Sequence, residues 1–387
     1  MSNMIDYIKW RGDISFETDP LNEIDSLIFC EIAYIPLEKV IKDNTKGETI
    51  EVLAKRLAQL PEEETKIGAI IPEKDIKELF YLAGNSQRYK NIRIKWFVNN
   101  VCKKAEKQFC AMTFVIDKEY YYVAYRGTDD SIIGWKEDLN MAFNTPIPSQ
   151  TEGVEYLTEI GEKTRKKIYV GGHSKGGNLA AYSAMFTSDK TKKKIVSVHS
   201  FDGPGFMPEF LKTIDDEETK GKIKKYLPQG SIIGMIFDPL GACEIVKSKG
   251  KGMYQHDAFN WEILGKSFVN ETELLKSSIN FHDILLNWTL SMEPNERAEC
   301  VGAFYKLMTV NEAATLTDIA SGKMKFILGV LKTDGKTKKI LFSAINKLLK
   351  QRRKNKQLKT QEQIPPKKQG ASRTFKNREN KRKKPRS

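Results

Sequence analysis

The chain has 387 residues, 40% of them apolar, which is enough for one α/β domain with extensions, and no uncharged run reaches the ~18 residues that a membrane-spanning helix needs. Its five cysteines form no C-x-x-C pair and its N-terminus lacks a basic stretch before an apolar core, so we expect a cytoplasmic protein without a zinc site, disulfides or signal peptide. The net charge is +14, of which residues 351–387 carry +13 through 15 Lys or Arg against two Glu.

The first 88 residues predict helices. Apolar residues recur at helical spacing over 24–41, 49–60 and 73–83. We expect this N-terminal helical segment, residues 1–88, to cover an edge of a sheet or the mouth of a site.

Strands and helices alternate through residues 89–265. Strand-like runs at 92–97, 109–116 and 120–125 begin the series, and helical patterns separate the strands that follow. The predicted fold class is therefore α/β, with a mostly parallel, doubly wound sheet.

A G-x-S-x-G motif occupies residues 172–176. A short strand at 168–170 leads into it and an Ala-rich helical stretch at 179–185 follows. The motif alone is common by chance, but at a strand-to-helix turn it exposes the serine hydroxyl in front of a helix N-terminus. The glycines permit the strained backbone of such a turn. Ser174 is therefore a candidate nucleophile.

A serine nucleophile needs a general base, and the chain has four histidines. His173 precedes the serine within the turn, His199 lies in a predicted buried strand, and His282 lies in a helical run. His256 follows in a Gly- and Lys-rich loop, where an imidazole can approach the serine. Elimination and the chain order serine, acid, histidine favour His256 as the base.

Two aspartates are candidates for the acid that orients the histidine. Asp238 ends a strand predicted at 232–237, and Asp202 ends a strand predicted at 196–201. Both lie at carboxyl ends of strands, where open α/β sheets place their sites. We prefer Asp238, because its strand comes next before His256, and keep Asp202 as the alternative. Either aspartate could instead form an Asx turn.

Acyl transfer also requires donors for the developing oxyanion. The backbone N–H of Lys175 follows the nucleophile directly. Thr128, in the turn after the strand at 120–125, offers a backbone N–H and a hydroxyl. Thr128 and Lys175 are therefore the predicted oxyanion hole.

These blocks together resemble the fungal-type (class 3) lipases. The resemblance lies in five stretches in the expected order: Arg126-Gly127-Thr128 with Trp135 and Asp138-Leu139, Gly172-His173-Ser174-Lys175-Gly176-Gly177, Phe201-Asp202-Gly203-Pro204, Asp238-Pro239-Leu240, and His256. It implies an α/β-hydrolase-type sheet, with the acid at Asp238. It implies no metal and no cofactor.

Residues 3–265 resemble more closely an uncharacterised bacterial family of lipase-like α/β-hydrolases, a domain of unknown function. The opening residues 6–13, the lysine after the serine, Asp202 in the stretch 201–205, and residues 255–257 around His256 carry this narrower resemblance. Lys175 departs from the apolar residue that true lipases have after the serine. We hypothesise that this cation suits an anionic or phosphate-bearing substrate.

Residues 266–350 predict a C-terminal helical region, with helices at 271–292, 295–320, 323–331 and 338–354. The last of these is amphipathic and basic. We expect it to pack on its own domain, with a position on a membrane surface as the alternative.

The final stretch, residues 351–387, predicts a disordered polybasic tail, because its like charges and few apolar residues cannot form a core. Its expected partners are polyanions: an anionic membrane surface, nucleic acid or an acidic protein. A tail that only keeps the chain soluble is the alternative.

The sequence thus predicts a serine hydrolase that cleaves a carboxylic ester, with an anionic lipid ester among its candidate substrates. A thioesterase or amidase would use the same residues. The alternative from another class is a catalytically silent scaffold that its basic tail tethers to nucleic acid or membrane. The expected location is cytoplasmic, with peripheral membrane association as an option.

Overall fold

The computed structural model describes residues 2–67, 72–129, 132–309 and 333–362. An eight-stranded sheet forms its centre, with the strands side by side in chain order. The strands are β1 (Glu48–Thr49), β2 (Arg93–Cys102), β3 (Lys107–Val115), β4 (Tyr120–Tyr125), β5 (Lys167–His173), β6 (Ile195–Phe201), β7 (Ile223–Pro228) and β8 (Ala242–Val246).

The sheet changes direction at β4. Strands β1 to β4 pair antiparallel, and β4 to β8 pair parallel. A separate hairpin joins β9 (Ile263–Leu264) to β10 (Ser267–Phe268). The parallel half places the carboxyl ends of β5 and β6 at one edge, where sites of α/β sheets occur.

Thirteen helices in the described residues surround the sheet. They are α1 (Met4–Arg11), α2 (Glu23–Ile32), α3 (Ile50–Leu57), α4 (Glu73–Asn85), α5 (Ile132–Asn140), α6 (Pro148–Lys163), α7 (Lys175–Phe186), α8 (Asp189–Lys192), α9 (Pro208–Leu211), α10 (Glu217–Lys220), α11 (Lys276–Leu290), α12 (Pro294–Thr309) and α13 (Gly335–Glu362).

Apolar side chains form one core on each face of the sheet. The N-terminal helices pack Leu27 and Leu79 against Phe114 on one face. On the other face, α6 and α7 pack Leu157 and Leu179 against the opposite sides of the strands. This three-layer arrangement confirms the predicted α/β-hydrolase-type fold class.

The second half of the sheet differs from the prediction. Residues 232–237 form turns, not the expected strand, and the strand that follows β6 is β7. The sequence of β7, Ile-Lys-Lys-Tyr-Leu-Pro, reads as polar, yet Lys225 within it is buried. Because lysine is rarely buried, the sequence does not predict a strand at this position.

The C-terminal helices depart from the predicted bounds. Helix α13 extends from Gly335 to Glu362. Residues 351–362 are therefore helical, although the sequence predicts a disordered tail there. The helix predicted at 323–331 and the end of that at 295–320 lie outside the described residues, as does the remainder of the tail, 363–387. In the described part of the chain, no helix combines the length and apolarity needed to cross a bilayer.

A buried ion pair ties the N-terminal helices together. Arg88 binds Asp25 through two hydrogen bonds of 2.6 and 2.8 Å, and both side chains are fully buried. The Asp25 carboxylate also accepts hydrogen bonds from the hydroxyls of Tyr7 and Tyr89. Because each ion satisfies the other, removal of one partner leaves an uncompensated charge in the core.

We therefore expect Arg88→Met to lower the free energy of unfolding by about 3–5 kcal/mol, because Asp25 then stays buried without its cation. Urea denaturation measures this loss. The control is Lys9→Met, which breaks the exposed Lys9–Glu78 pair and should cost less than about 1 kcal/mol. Equal losses in the two variants would show that the buried pair has no special weight.

Candidate active site

Ser174 occupies a strained turn between β5 and α7. Its φ of +57° and ψ of −133° lie where a residue with a side chain rarely occurs. A Cβ on Gly172 would come within 2.2 Å of the Gly176 carbonyl, and one on Gly176 within 2.1 Å of the Tyr125 carbonyl oxygen. Glycine is therefore required on both sides of the serine, and the turn directs its side chain toward the cavity described below.

His256 binds Asp202. The ring Nδ1 and Asp202 Oδ2 are 2.7 Å apart, and both side chains are buried. Asp202 follows β6 directly, beside the Ser174 turn, whose N–H donates to the Phe201 carbonyl. A carboxylate on Nδ1 keeps the proton there and leaves Nε2 unprotonated, as a general base requires.

The preference for Asp238 as the partner of His256 is therefore corrected. Asp238 lies in a loop, and its Oδ1 is 3.3 Å from Nε2 of His282, on α11. The error follows from the strand assignment. The strand next to β6 is β7, not residues 232–237. Asp238 therefore lies beside His282, and Asp202 is the carboxylate that binds His256.

Ser231 and Gly234 hold Asp202 in position through hydrogen bonds, and Lys225 in turn holds Gly234. The sequence does not predict these contacts. The Asp202 backbone has a φ of +46°, and its Oδ1 accepts hydrogen bonds from the Ser231 hydroxyl at 2.5 Å and the Gly234 N–H at 3.1 Å. The ammonium of Lys225 donates to the Gly234 carbonyl at 2.8 Å. Burial lowers the pKa of Lys225 to about 8. The one feature of the sequence that could have indicated this support is Lys225, a lysine between residues typical of a strand.

The predicted oxyanion turn packs against the serine. A Cβ on Gly127 would lie 2.9 Å from the Ser174 Cβ, so the chain at Thr128 passes directly beside Ser174. The Thr128 N–H has no acceptor in the described part of the chain. The Lys175 N–H is the first of α7, and the first amides of a helix have no acceptor within it. Both amides are thus available to an oxyanion.

The side chain of Lys175 does not serve the site as the sequence suggested. Its ammonium is fully buried, 3.0 Å from Glu137 Oε2 and 3.1 Å from the Gln108 carbonyl oxygen. Asp138 Oδ1 lies 3.6 Å away. Since two carboxylates surround this cation, the hypothesis that it recognises an anionic substrate is not supported. It anchors α7 to α5.

The Thr128 hydroxyl donates to Asp138 Oδ2 at 2.5 Å. Burial raises the pKa of Asp138 to about 6, although Lys175 and the Thr128 hydroxyl act in the opposite direction. When Asp138 is ionised, it accepts this hydrogen bond and the Thr128 hydroxyl is occupied. The backbone N–H of Thr128 is then the group that can donate to an oxyanion.

His173 supports His256 from behind. Its Nε2–H donates to the His256 carbonyl at 2.9 Å, and the two rings stack with centroids 4.6 Å apart. Its Nδ1 lies 3.3 Å from Glu31 Oε1. Burial lowers the pKa of His173 and raises the pKa of Glu31, well away from their ordinary values. His173 is therefore neutral near pH 7, and its hydrogen bond to the His256 carbonyl fixes the backbone of His256.

Ser174, Thr128 and His256 open into one cavity of about 610 Å³. Its volume is that of a typical ligand site. The walls come from α5, α11, α12 and α13, and they are almost entirely apolar, with Leu285 and Leu348 as examples. Ser174 Oγ and His256 Nε2 are not hydrogen-bonded among the described residues. Where a serine and a histidine act as nucleophile and base, that contact often tightens only with substrate bound.

Other expectations for the site concern histidines and metals. His199 lies buried in β6 and His282 lies in α11, as predicted. No cluster of three or more His, Cys, Asp or Glu side chains in the described ranges has an arrangement that could hold a metal ion.

Comparisons with known proteins give one family and several distant structures. A family model described as Mbeg1-like matches residues 83–306, and no curated protein is similar enough to count as a match. A mutant form of MDLA from Penicillium cyclopium is 10% identical, with a TM-score of 0.37, over 69% of this chain and 91% of that chain.

Two further solved structures are M37 lipase and a lipase of Rhizomucor miehei in a propeptide complex. M37 lipase is 15% identical, with a TM-score of 0.34, over 55% of this chain and 68% of that chain. The Rhizomucor lipase is 18% identical, with a TM-score of 0.32, over 41% and 57% respectively. Similarities this low carry no argument about function.

The buried carboxyl of Asp138 generates a pH prediction. Its pKa in the folded chain, about 6, is above the ordinary 3.8, so the folded chain holds a proton that the unfolded chain releases between about pH 4 and 6. The carboxyl therefore favours the fold at low pH, and this contribution disappears as the pH rises. The unfolding free energy of wild type minus that of Asp138→Asn should fall by up to about 3 kcal/mol across this range.

Urea titrations of both proteins at a series of pH values measure this difference. Asp13→Asn, at an exposed position, is the control, and its difference from wild type should stay flat. A wild-type advantage over Asp138→Asn that grows with pH would contradict the assignment.

Proposed function

The chain belongs to the Mbeg1-like family, and we propose that it is a serine hydrolase of the lipase or esterase type. One observation carries the proposal. A serine held at φ +57° in front of a helix N-terminus shares a cavity with a histidine whose Nδ1 binds a buried carboxylate. Strain of this kind persists where the surrounding structure imposes it, and a reactive serine is a reason to retain it.

In the proposed reaction, Ser174 Oγ attacks the ester carbonyl carbon while His256 Nε2 takes the hydroxyl proton. Asp202 holds the imidazole tautomer and stabilises the imidazolium. The N–H groups of Thr128 and Lys175 donate to the oxyanion. His256 then protonates the departing alcohol, which leaves an acyl-enzyme. Water, deprotonated by His256, releases the carboxylic acid and restores Ser174.

The substrate class follows from the cavity. Its walls are apolar, so they suit the hydrocarbon chain of an acyl group. The one lysine beside the serine is neutralised by Glu137, so a charged head group finds no free partner at that position. We therefore propose an ester with an apolar acyl chain, lipid esters included, with any anionic head group outside the cavity wall. Thioesters and amides of the same chain remain part of the test.

We expect Ser174→Ala to abolish labelling by a fluorophosphonate probe, because the probe captures only an activated serine. Turnover of acyl esters should fall to about 10³–10⁴ times the uncatalysed rate. Mass spectrometry of the labelled protein and hydrolysis assays over a series of acyl chain lengths measure both effects. Ser267→Ala, at an exposed serine, is the matched control. Folded wild-type protein that takes no label would favour the silent scaffold.

The two candidate acids can be separated by a pair of variants. Asp202→Asn should lower kcat by about 10⁴, because the amide would hold His256 in the wrong tautomer. Asp238→Asn should leave kcat close to wild type, since Asp238 contacts His282 and not His256. Steady-state kinetics on one ester, with circular dichroism to confirm folding, make the comparison. A large loss of kcat in Asp238→Asn alone would instead identify Asp238 as the acid that orients His256.

A further inference from the structure

The mouth of the cavity carries exposed apolar side chains. Four residues both line the cavity and face solvent: Met253, Phe304, Phe342 and Ile345. Met253 lies in a short 3-10 helix before His256, Phe304 lies in α12, and Phe342 and Ile345 lie in α13, so three segments of the chain contribute to the opening. Phe342 is 63% exposed and Ile345 is 49% exposed. Large apolar side chains grouped in this way at a site mark a surface that binds a partner.

Helix α13 has two apolar stripes. Leu341, Ala344 and Leu348 line the cavity. Phe342, Ile345 and Leu349 have the same i, i+3, i+7 spacing and form the second stripe, which is exposed. The helix itself is fixed, because Trp288 Nε1 donates to the Ala344 carbonyl at 2.9 Å. The exposed stripe therefore lies at the edge of the cavity, which Phe342 and Ile345 also line, while the other stripe forms the cavity wall.

The same helix is strongly basic. Ten Lys or Arg and one Glu lie between Gly335 and Glu362. An amphipathic helix with this charge and an exposed apolar face matches an anionic lipid surface, which takes the apolar residues into its acyl layer and attracts the cations. Nucleic acid would use the charge but leave Phe342 and Ile345 exposed.

We propose that the cavity mouth, defined by Met253, Phe304, Phe342 and Ile345 with the exposed stripe of α13, docks on an anionic lipid bilayer. Docking there presents the opening above Ser174 to the membrane. The surface binds through burial of apolar side chains and attraction of charge, so it operates whether or not Ser174 is reactive.

The test is flotation of the full chain with vesicles of phosphatidylcholine alone or mixed with phosphatidylglycerol. The double variant Phe342→Ser/Ile345→Ser removes apolar groups without changing the net charge, so any contribution of the tail is unaltered. We expect its affinity for mixed vesicles to fall at least about ten-fold, the effect of losing burial of two large side chains. Circular dichroism confirms folding.

The matched control is Val101→Ser/Leu264→Ser, which removes side chains 49% and 77% exposed that do not line the cavity. It should bind as wild type does, and so should Ser174→Ala, which separates docking from hydrolysis. As a second variant, Arg352→Gln/Arg353→Gln should weaken binding to mixed vesicles.

Equal affinity of the mouth variant and the control would overturn the proposal, as would equal binding of wild type to both kinds of vesicle. Sedimentation of the proteins without lipid tests for a second copy as the occupant. A mouth variant that loses only self-association would reject the bilayer in favour of that copy.

Discussion

The backbone strain at Ser174 is the constraint on which the site depends. Around this residue α7 lies so close to β5 that no side chain fits at Gly172, and so close to the end of β4 that none fits at Gly176. The same contact directs the N-terminus of α7 toward the cavity and brings the Gly127 turn against the serine. The hydrogen bond from the Ser174 N–H to Phe201 then sets the start of the loop that contains Asp202. The packing of α7 against β4 and β5 thus determines where the other groups of the site lie.

Buried charges make this frame rigid at an energetic cost. Lys175 and Glu137 join α7 to α5, and Lys225 holds the loop that holds Asp202. Ions in the interior lose their hydration, so each must keep its partner for the fold to tolerate it. The groups nearest the serine are consequently held in place by buried ions.

Local patterns in the sequence were sufficient for some parts of the site and not for others. The turn at Ser174 and the segment at Thr128 are each contained in a few adjacent residues, so the sequence alone predicts where they lie. The choice between Asp202 and Asp238 depended on which strand follows β6, and β7 was concealed because Lys225 is buried among apolar neighbours. The direction of the Lys175 side chain depended on Glu137, which lies on a distant element. The sequence could not predict these features because they depend on contacts between segments that are far apart in the chain.

Helix α13 combines a cavity-lining half with a strongly basic half. It is continuous over 28 residues, about 42 Å at the rise of an α-helix. Leu341 and Leu348, in its first half, form part of the cavity wall, while Arg352 and Arg353 lie in its second half. A helix is stiff over this distance, so the hydrogen bond from Trp288 to the Ala344 carbonyl, which fixes the cavity wall, also fixes the direction in which the basic half of α13 leaves the fold.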